Sequence, residues 1–327
     1  MVEFQSTSDL KDIGIKREIN PEAAIALIEQ GAIRGLAKAI SFIENDGANK
    51  KVIMEYAYRK KTEPTLIVGI TGPGGAGKST LVAQLISNYR KQNKTVGVIA
   101  VDPSSPYTGG AFLGDRVRMS AHNTDEGVFI RSFGSRNSLG GISESVKGAL
   151  YLYKAFHFDV IIVESIGVGQ DQTEIDSFVD VTVVVFVPGF GDAIQMAKAG
   201  IRETADVFII NKSDKPEAAI LKEQMENSFG IMAEEFRPPI VVCTIAKEGK
   251  GIEDAVFMIQ KVSGKKGVDV DCKRRNRIWA EIRSSVLHDI SKKIDSKMNI
   301  MVEQVFAGSM TPYEAALTII ESIVIKE

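Results

Sequence analysis

Cysteine and histidine are scarce in this chain of 327 residues, which contains two cysteines and three histidines. Cys243 and Cys272 are too few for a disulfide framework or a zinc site, so the composition favours a reducing compartment. His122, His157 and His288 are far apart in the sequence and have no carboxylate or cysteine at ligand spacing. The sequence therefore argues against disulfide-rich secreted proteins and against a metal site built on histidine.

A strong net charge and long apolar runs are also lacking. The formal net charge is −2, which gives no broad electrostatic attraction to nucleic acid or to an anionic membrane. No apolar run approaches the length that crosses a bilayer, and the stretch from Met1 to Lys16 lacks the apolar core of a signal peptide. We therefore expect a cytoplasmic protein that binds neither nucleic acid nor membrane.

The most specific motif that is present runs from Gly72 to Thr80 and reads Gly-Pro-Gly-Gly-Ala-Gly-Lys-Ser-Thr. A β-branched apolar run precedes it and a helical apolar pattern follows it, so strand, loop and helix come in the order of a phosphate-binding P-loop. Backbone N–H groups of such a loop point at phosphate oxygens, Lys78 reaches the β- and γ-phosphates, and the Ser79 hydroxyl ligates Mg²⁺. The predicted nucleotide-binding residues here are Gly72, Gly74, Gly75, Ala76, Gly77, Lys78, Ser79 and Thr80.

Two acidic residues follow later buried strands. One predicted strand ends at Asp102, and another ends at Glu164. Carboxylates at these positions lie on the rim where open α/β sheets bind ligands. Glu164 is followed three residues later by Gly167, the arrangement of a Walker B acid and a γ-phosphate-sensing glycine, with Glu in place of the usual Asp. The alternative is that Glu164 only caps the next turn.

The tetrapeptide from Asn211 to Asp214, Asn-Lys-Ser-Asp, follows a further buried strand and matches the N-K-x-D element of GTP-binding proteins. The Asp214 carboxylate can accept the N1–H and 2-amino protons of guanine, whereas adenine offers no such pair of donors. Together with Lys212, these residues predict guanine recognition. Ala246 follows the last predicted strand, where GTPases use backbone amides to bind guanine O6.

The order of these elements predicts an α/β fold of the P-loop NTPase class, with a mostly parallel central sheet flanked by helices. We expect an N-terminal helical extension over residues 1–62, a P-loop GTPase domain over 63–263 and a C-terminal helical region over 264–327. In that last region, apolar residues recur every four positions from Ile278 to Met298. This period exceeds the helical 3.6, so the stripe drifts around the helix and needs cover from more than one neighbour. Packing within one chain and packing against a second copy both satisfy it.

Several further stretches occur in one order and carry a resemblance to a known family. They are Val-Asp102-Pro-Ser-Ser-Pro-Tyr-Thr-Gly-Gly, Leu-Gly-Asp115-Arg-Val-Arg-Met, Val-Glu164-Ser-Ile-Gly-Val-Gly-Gln and Pro-Gly-Phe-Gly-Asp192-Ala-Ile-Gln. With the P-loop and the Asn-Lys-Ser-Asp element, they closely resemble the MeaB/ArgK family, the GTPase chaperones of adenosylcobalamin-dependent methylmalonyl-CoA mutase. The similarity covers nearly the whole chain.

The resemblance implies GTP and GDP as ligands, Mg²⁺ as cofactor, a homodimer formed by the C-terminal helices, and an acyl-CoA mutase as partner. Mg²⁺ would be bound or approached by Ser79, Asp102, Asp115 and Glu164. A third switch would contain Gln195 and Lys198. The residues implied in catalysis are Lys78, Asp102, Asp115, Glu164, Gln195 and Lys198.

Two departures from the family pattern bear on which mutase is served. The chain has Gly-Gln-Asp-Gln from Gly169 to Gln172 where the family commonly has Gly-Gln-Ser-Glu, and Phe190 replaces a small residue of the third switch.

The glycine switch has Val168 after Gly167, where signalling GTPases place a glutamine that orients water. We therefore expect slow hydrolysis that a partner accelerates.

A second function remains open, an ATP-dependent kinase of the type associated with lysine/arginine/ornithine transport. The Asn-Lys-Ser-Asp element favours guanine over adenine and hence the GTPase.

Overall fold

The computed structural model describes residues 19–45, 47–62, 65–102, 119, 122, 124–134, 144–165, 178–189, 205–230, 240–264 and 268–324. The chain forms two compact units, Met1–Lys266 and Gly267–Glu327. The first unit contains the central sheet. The second contains the two C-terminal helices.

Seven strands form one sheet in the order β3-β2-β4-β1-β5-β6-β7, and every neighbouring pair is parallel. The strands are β1 Leu66–Thr71, β2 Val96–Asp102, β3 Val128–Gly134, β4 Val160–Glu164, β5 Val181–Phe186, β6 Val207–Asn211 and β7 Ile240–Thr244. Strands of an all-parallel sheet are covered on both faces, which accounts for their β-branched apolar runs. The predicted fold class is confirmed.

Helices cover both faces of this sheet. In chain order they are α1 Pro21–Glu29, α2 Ile33–Glu44, α3 Ala48–Arg59, α4 Lys78–Lys91, α5 Glu144–Ala155, α6 Glu217–Gly230 and α7 Ile252–Ser263. Side chains of α4 and α7 pack with Val68 and Ile70 of β1. Side chains of α1, α2, α3 and α5 pack with Ile67, which points to the opposite face of the same strand. The second unit consists of α8 Val268–Phe306 and α9 Pro312–Val324.

Strands β4, β5 and β6 each begin directly after an aspartate. The carboxylate of that aspartate accepts a backbone N–H from a residue in a neighbouring strand or from the residue just before that strand. These bonds run from Thr95 to Asp159 (2.7 Å), from Ile67 to Asp180 (2.9 Å) and from Thr182 to Asp206 (2.9 Å). Because the carboxylates bind at the amino ends of the strands, they help to fix which residues lie opposite each other. The carboxyl ends, where the motif residues lie, are thereby brought to one common rim.

Side-chain caps and strand pairing set several boundaries of these elements. Asn20 caps α1 by accepting a 2.8 Å bond from the N–H of Ala23, and Thr311 and Glu314 form a capping box at the start of α9. Helix α3 begins at Ala48, four residues before Val52, its first large apolar residue. Strand β3 extends to Gly134 and pairs with β2 along its full length.

None of the helices among the described residues combines the length and apolar composition that crossing a bilayer requires.

Candidate nucleotide-binding site

The P-loop joins β1 to α4 and depends on glycine at two close approaches. Gly72 has φ 149°, and a Cβ there would lie 2.3 Å from the carbonyl oxygen of Val185 on β5. Gly77 has φ 85°, and its Cβ would lie 2.5 Å from Nδ2 of Asn211. At both positions any larger residue would clash and would also be strained. Gly74 and Gly75 are exposed at the crest of the loop, where their N–H groups are accessible to an anion.

Lys78 is the first residue of α4 and is 8% exposed. Its ammonium group donates to the carbonyl oxygens of Gly72 at 2.8 Å and Pro73 at 3.2 Å. These bonds hold the cation beneath the loop, close to the N-terminal end of α4, which itself favours an anion. The arrangement suits a polyphosphate bound over the loop.

Ser79 and Glu164 are both buried and are directly hydrogen-bonded, with the Ser79 hydroxyl donating to Oε1 of Glu164 at 2.8 Å. A hydroxyl and a carboxylate are hard oxygen donors of the kind that Mg²⁺ prefers. The hydroxyl can donate its proton to Glu164 and still offer a lone pair to the ion. These two residues therefore fit the predicted Mg²⁺ site.

The other predicted metal ligands are less fully described. Asp102 is the last residue of β2, two positions beyond Ala100, which lies opposite Glu164 on β4. Asp115 lies outside the described residues, as do Gly167, Gln195 and Lys198. Within the described part of the chain, no three His, Cys, Asp or Glu side chains form a cluster that could hold a metal ion.

Asn211 connects the predicted guanine site to the P-loop. Its side chain is 3% exposed, and its Nδ2 donates to the carbonyl oxygen of Ala76 at 2.9 Å. Its Oδ1 accepts from the N–H of Ala246 at 3.0 Å and from the Thr244 hydroxyl at 3.2 Å. The Ala246 amide, predicted to bind guanine O6, would share or exchange this bond when a base is present.

Lys212 and Asp214 complete this element. Lys212 has φ 57° and its ammonium group donates to the carbonyl oxygen of Gly75 at 2.9 Å. The N–H of Ser213 donates to the carbonyl oxygen of Thr244 at 3.0 Å, which fixes the turn to β7. Asp214 is exposed, so its carboxylate is accessible to a base.

A cationic side chain lies near this carboxylate. Lys250 forms an ion pair of 2.7 Å with Glu248 in the turn after β7. The hydrogen bond that Lys250 donates to Glu248 raises the pKa of Lys250, and the negative charge of Asp214 adds a smaller effect in the same direction. Both side chains of the pair are exposed, so solvent weakens the interaction.

One contact at the site was not predicted from the sequence. The hydroxyl of Ser165, which follows Glu164, donates to Oγ1 of Thr71, which precedes Gly72, at 2.9 Å. The sequence does contain a signal for it, because Thr71 is the last residue of one buried strand and Ser165 directly follows another. The adjacency of those two strands, however, is a property of the sheet.

Comparisons with known proteins agree with this geometry. Residues 36–299 match the family described as methylmalonyl-CoA mutase-associated GTPase MeaB. A relative from Pyrococcus horikoshii is 40% identical over 314 residues, which cover 92% of this chain and 97% of the relative. The GTPase ArgK of Escherichia coli is 35% identical over 240 residues, covering 71% and 72% of the two chains.

The solved structure of a kinase of the LAO/AO transport system has 25% sequence identity and a TM-score of 0.65, covering 94% of this chain and 99% of the other. The family match over residues 36–299 includes the P-loop, the strand that ends at Glu164 and the Asn-Lys-Ser-Asp element. The chain therefore belongs to the MeaB family of GTPases.

Proposed function

We propose that this GTPase binds GTP with Mg²⁺ at the P-loop, hydrolyses it to GDP and phosphate, and uses the exchange of nucleotides to control an adenosylcobalamin-dependent acyl-CoA mutase. It would gate the loading of the cobalamin cofactor and protect or reactivate the mutase. The mutase is methylmalonyl-CoA mutase or a close relative. The description of the family, which names an association with methylmalonyl-CoA mutase, supports this partner.

The observation that carries the nucleotide assignment is the buried Asn211 side chain. It bonds the P-loop through Ala76 and the loop after β7 through Ala246. The elements expected to bind phosphate and base are therefore held in one rigid arrangement. Asp214 lies three residues further on and is exposed, which suits a carboxylate that accepts two hydrogen bonds from guanine.

Hydrolysis would use residues whose positions fit known phosphoryl-transfer sites. Lys78 would exchange the neutral carbonyl oxygens of Gly72 and Pro73 for charged phosphate oxygens, which are stronger acceptors. There it would neutralise negative charge that develops as the γ-phosphate leaves. Bound Mg²⁺ would supply further positive charge to the same oxygens, held by Ser79 and Glu164.

The sequence offers no water-orienting side chain directly after Gly167, since Val168 is apolar. We therefore propose a low rate for the isolated protein and acceleration by the mutase. Gln195 and Lys198 would be ordered over the nucleotide by the partner and would act there as an arginine finger does.

A homodimer is part of the proposal and rests on the family and on the surface of α8. Large apolar side chains of this helix are exposed, among them Ile278 (49%), Trp279 (63%) and Ile282 (62%). Contact with a second copy would remove these side chains from water.

A kinase that uses ATP is the second candidate, supported by the similarity to the LAO/AO transport system kinase. Calorimetric titration with GDP, GTP, ADP and ATP separates the two candidates. The GTPase proposal requires guanine nucleotides to bind at least about a hundredfold more tightly than adenine nucleotides. Discrimination of this size is expected because adenine would leave the Asp214 carboxylate without its two donors. Equal affinity for ATP and GTP would contradict it.

The partner is tested by pull-down with purified acyl-CoA mutases, each with and without bound cobalamin, in the presence of GDP or a non-hydrolysable GTP analogue. A cognate mutase should be retained in a manner that depends on the nucleotide. Retention of none of the mutases would contradict the mutase proposal while leaving GTP binding intact.

A further inference from the structure

Two consecutive residues at the end of β4 bond the two ends of the P-loop. Glu164 accepts the hydroxyl of Ser79, which follows the loop, at 2.8 Å. Ser165 donates its hydroxyl to Thr71, which precedes the loop, at 2.9 Å. Two neighbouring residues at the end of β4 are thus hydrogen-bonded to the residues on either side of the loop. The first bond belongs to the expected Mg²⁺ site, and the second has no role in the function described so far.

The backbone places Thr71 and Ser165 side by side. Strands β1 and β4 are parallel neighbours in which Ile70 lies opposite Glu164. The N–H of Ser165 donates to the carbonyl oxygen of Ile70 at 2.9 Å, so the ladder continues one residue past β4. The hydroxyl bond then joins the two residues that come directly after this pair.

The Ser165–Thr71 hydrogen bond is buried, so its loss would be costly. Thr71 is 1% exposed and Ser165 is 5% exposed. Water cannot readily replace a lost partner at such positions, and a buried hydroxyl that loses its hydrogen bond carries a substantial cost. The bond therefore restricts both side chains to one arrangement.

We propose that Ser165 is a positioning residue that couples the P-loop to the glycine switch through Thr71. Thr71 leads directly into Gly72, while Ser165 is two residues before Gly167, the predicted γ-phosphate sensor. Of these two elements, GDP would contact only the P-loop, whereas the γ-phosphate of GTP would contact the glycine switch as well. The Ser165–Thr71 bond consequently favours GTP over GDP. This inference rests on the proposed GTP-binding function.

The test compares the affinities for GDP and for guanylyl imidodiphosphate, measured by calorimetry with Mg²⁺ present. Ser165→Ala should weaken binding of the GTP analogue by about tenfold and binding of GDP by no more than about threefold, since a lost buried hydrogen bond is equivalent to roughly a tenfold change in an equilibrium constant. Ser165→Thr, which retains the hydroxyl, should restore the wild-type ratio of the two affinities.

Thr71→Val removes the acceptor from the other side and should change the ratio in the same direction. If the effect arises from this one bond, the double variant Thr71→Val/Ser165→Ala should be no worse than the more affected single variant. Full additivity of the two changes would overturn the proposal. The pair of single variants also keeps the test decisive if one of them fails to fold.

Thr182→Val is the matched control, because Thr182 is 1% exposed on β5 and belongs to the same sheet. Its loss should lower thermal stability without changing the ratio of affinities. A Ser165→Ala protein that behaves like this control, with equal losses for both nucleotides, would overturn the positioning role. Wild-type protein that binds neither nucleotide would instead overturn the proposed GTP function.

Discussion

The side-chain nitrogen Nδ2 of Asn211 donates a 2.9 Å hydrogen bond to the carbonyl oxygen of Ala76, which joins two elements that are 135 residues apart in the sequence. Gly77 lies so close to the same nitrogen that a Cβ could not be accommodated between them. The predicted base-binding and phosphate-binding elements are therefore in direct contact. A substitution at Asn211 should therefore weaken the contacts to the base and the contacts to the phosphates.

Asn211→Ala should weaken GDP binding and lower stability together. The substitution removes the partners of Ala76, Ala246 and Thr244 in a buried region, which costs about 1–3 kcal/mol of unfolding free energy. Chemical denaturation and calorimetry measure the two effects. Asp214→Ala is the control, because that exposed residue should affect guanine affinity with less than about 0.5 kcal/mol of change in stability. Wild-type stability in Asn211→Ala would contradict the role assigned to the bonds.

Asp214→Asn should shift the base preference from guanine to xanthine. An amide can donate a proton to the 2-oxo group of xanthine, whereas it cannot accept both guanine protons as a carboxylate does. Competition binding with GDP and xanthosine diphosphate measures the shift. If the variant keeps its preference for GDP, Asp214 does not contact the base.

Glu164→Asp should lower the affinity for Mg²⁺, so that nucleotide binding needs a higher Mg²⁺ concentration. The shorter side chain withdraws its carboxylate from the Ser79 hydroxyl, and loss of such a partner commonly lowers metal affinity by about tenfold or more. Titration of GDP at several Mg²⁺ concentrations measures this change. Asp125→Asn, a carboxylate change on the segment before β3, should leave the Mg²⁺ dependence as in the wild type.

The carboxylates around the ion should differ between nucleotide states. Mg²⁺ retains several waters and binds only one or two carboxylates at a time, yet Asp102, Asp115 and Glu164 are all predicted to approach it. Crystal structures with GDP and with a GTP analogue should show different members of this set in contact with the ion. The same contacts in both states would contradict an exchange of ligands.

The Arg90–Asp125 ion pair predicts a pH-dependent contribution to stability. Hydrogen bonds from Arg90 lower the pKa of Asp125 below its usual value of 3.8, with Nε to oxygen distances of 2.9 and 3.1 Å. The carboxylate is charged more readily in the folded state, so the pair stabilises the fold above pH 3.8 and ceases to do so as the pH falls through the lowered pKa.

Unfolding of the wild type and of Asp125→Asn, compared between pH 3 and pH 7, measures this contribution. Because both side chains are partly exposed, we expect a difference of only about 1 kcal/mol at pH 7. The difference should shrink at the acidic end. A difference that grew on acidification would contradict the assignment to Asp125.

Lys198→Ala should lower the stimulation of GTP hydrolysis by the cognate mutase, expressed as the ratio of stimulated to basal single-turnover rates. The proposed mechanism has this lysine neutralise charge on the β- and γ-phosphates once the partner is bound. Lys261→Ala, a change of an exposed lysine on α7, serves as the control and should keep the wild-type ratio. Equal stimulation of Lys198→Ala and wild type would show that the third switch does not carry the coupling.

The sequence alone determined the local parts of the protein. The run from Gly72 to Thr80 could be placed between a strand and a helix because its glycines, lysine and hydroxyls act through neighbouring backbone. The caps at Asn20 and Thr311 were equally predictable, since each side chain bonds an N–H only three residues away. The β-branched apolar runs of the predicted strands also indicated parallel strands that are covered on both faces.

Only the tertiary structure decided which of these parts meet. The sheet order places β1 between β4 and β5, so Thr71 meets Ser165 although 94 residues separate them. The same folding brings Asn211 to Ala76 and the Lys212 ammonium to Gly75. Hydrophobic periodicity specifies which face of a strand is buried, but it is the same for any order of apolar parallel strands. The contacts that connect the predicted phosphate, metal and base sites therefore follow from strand order, which no local pattern encodes.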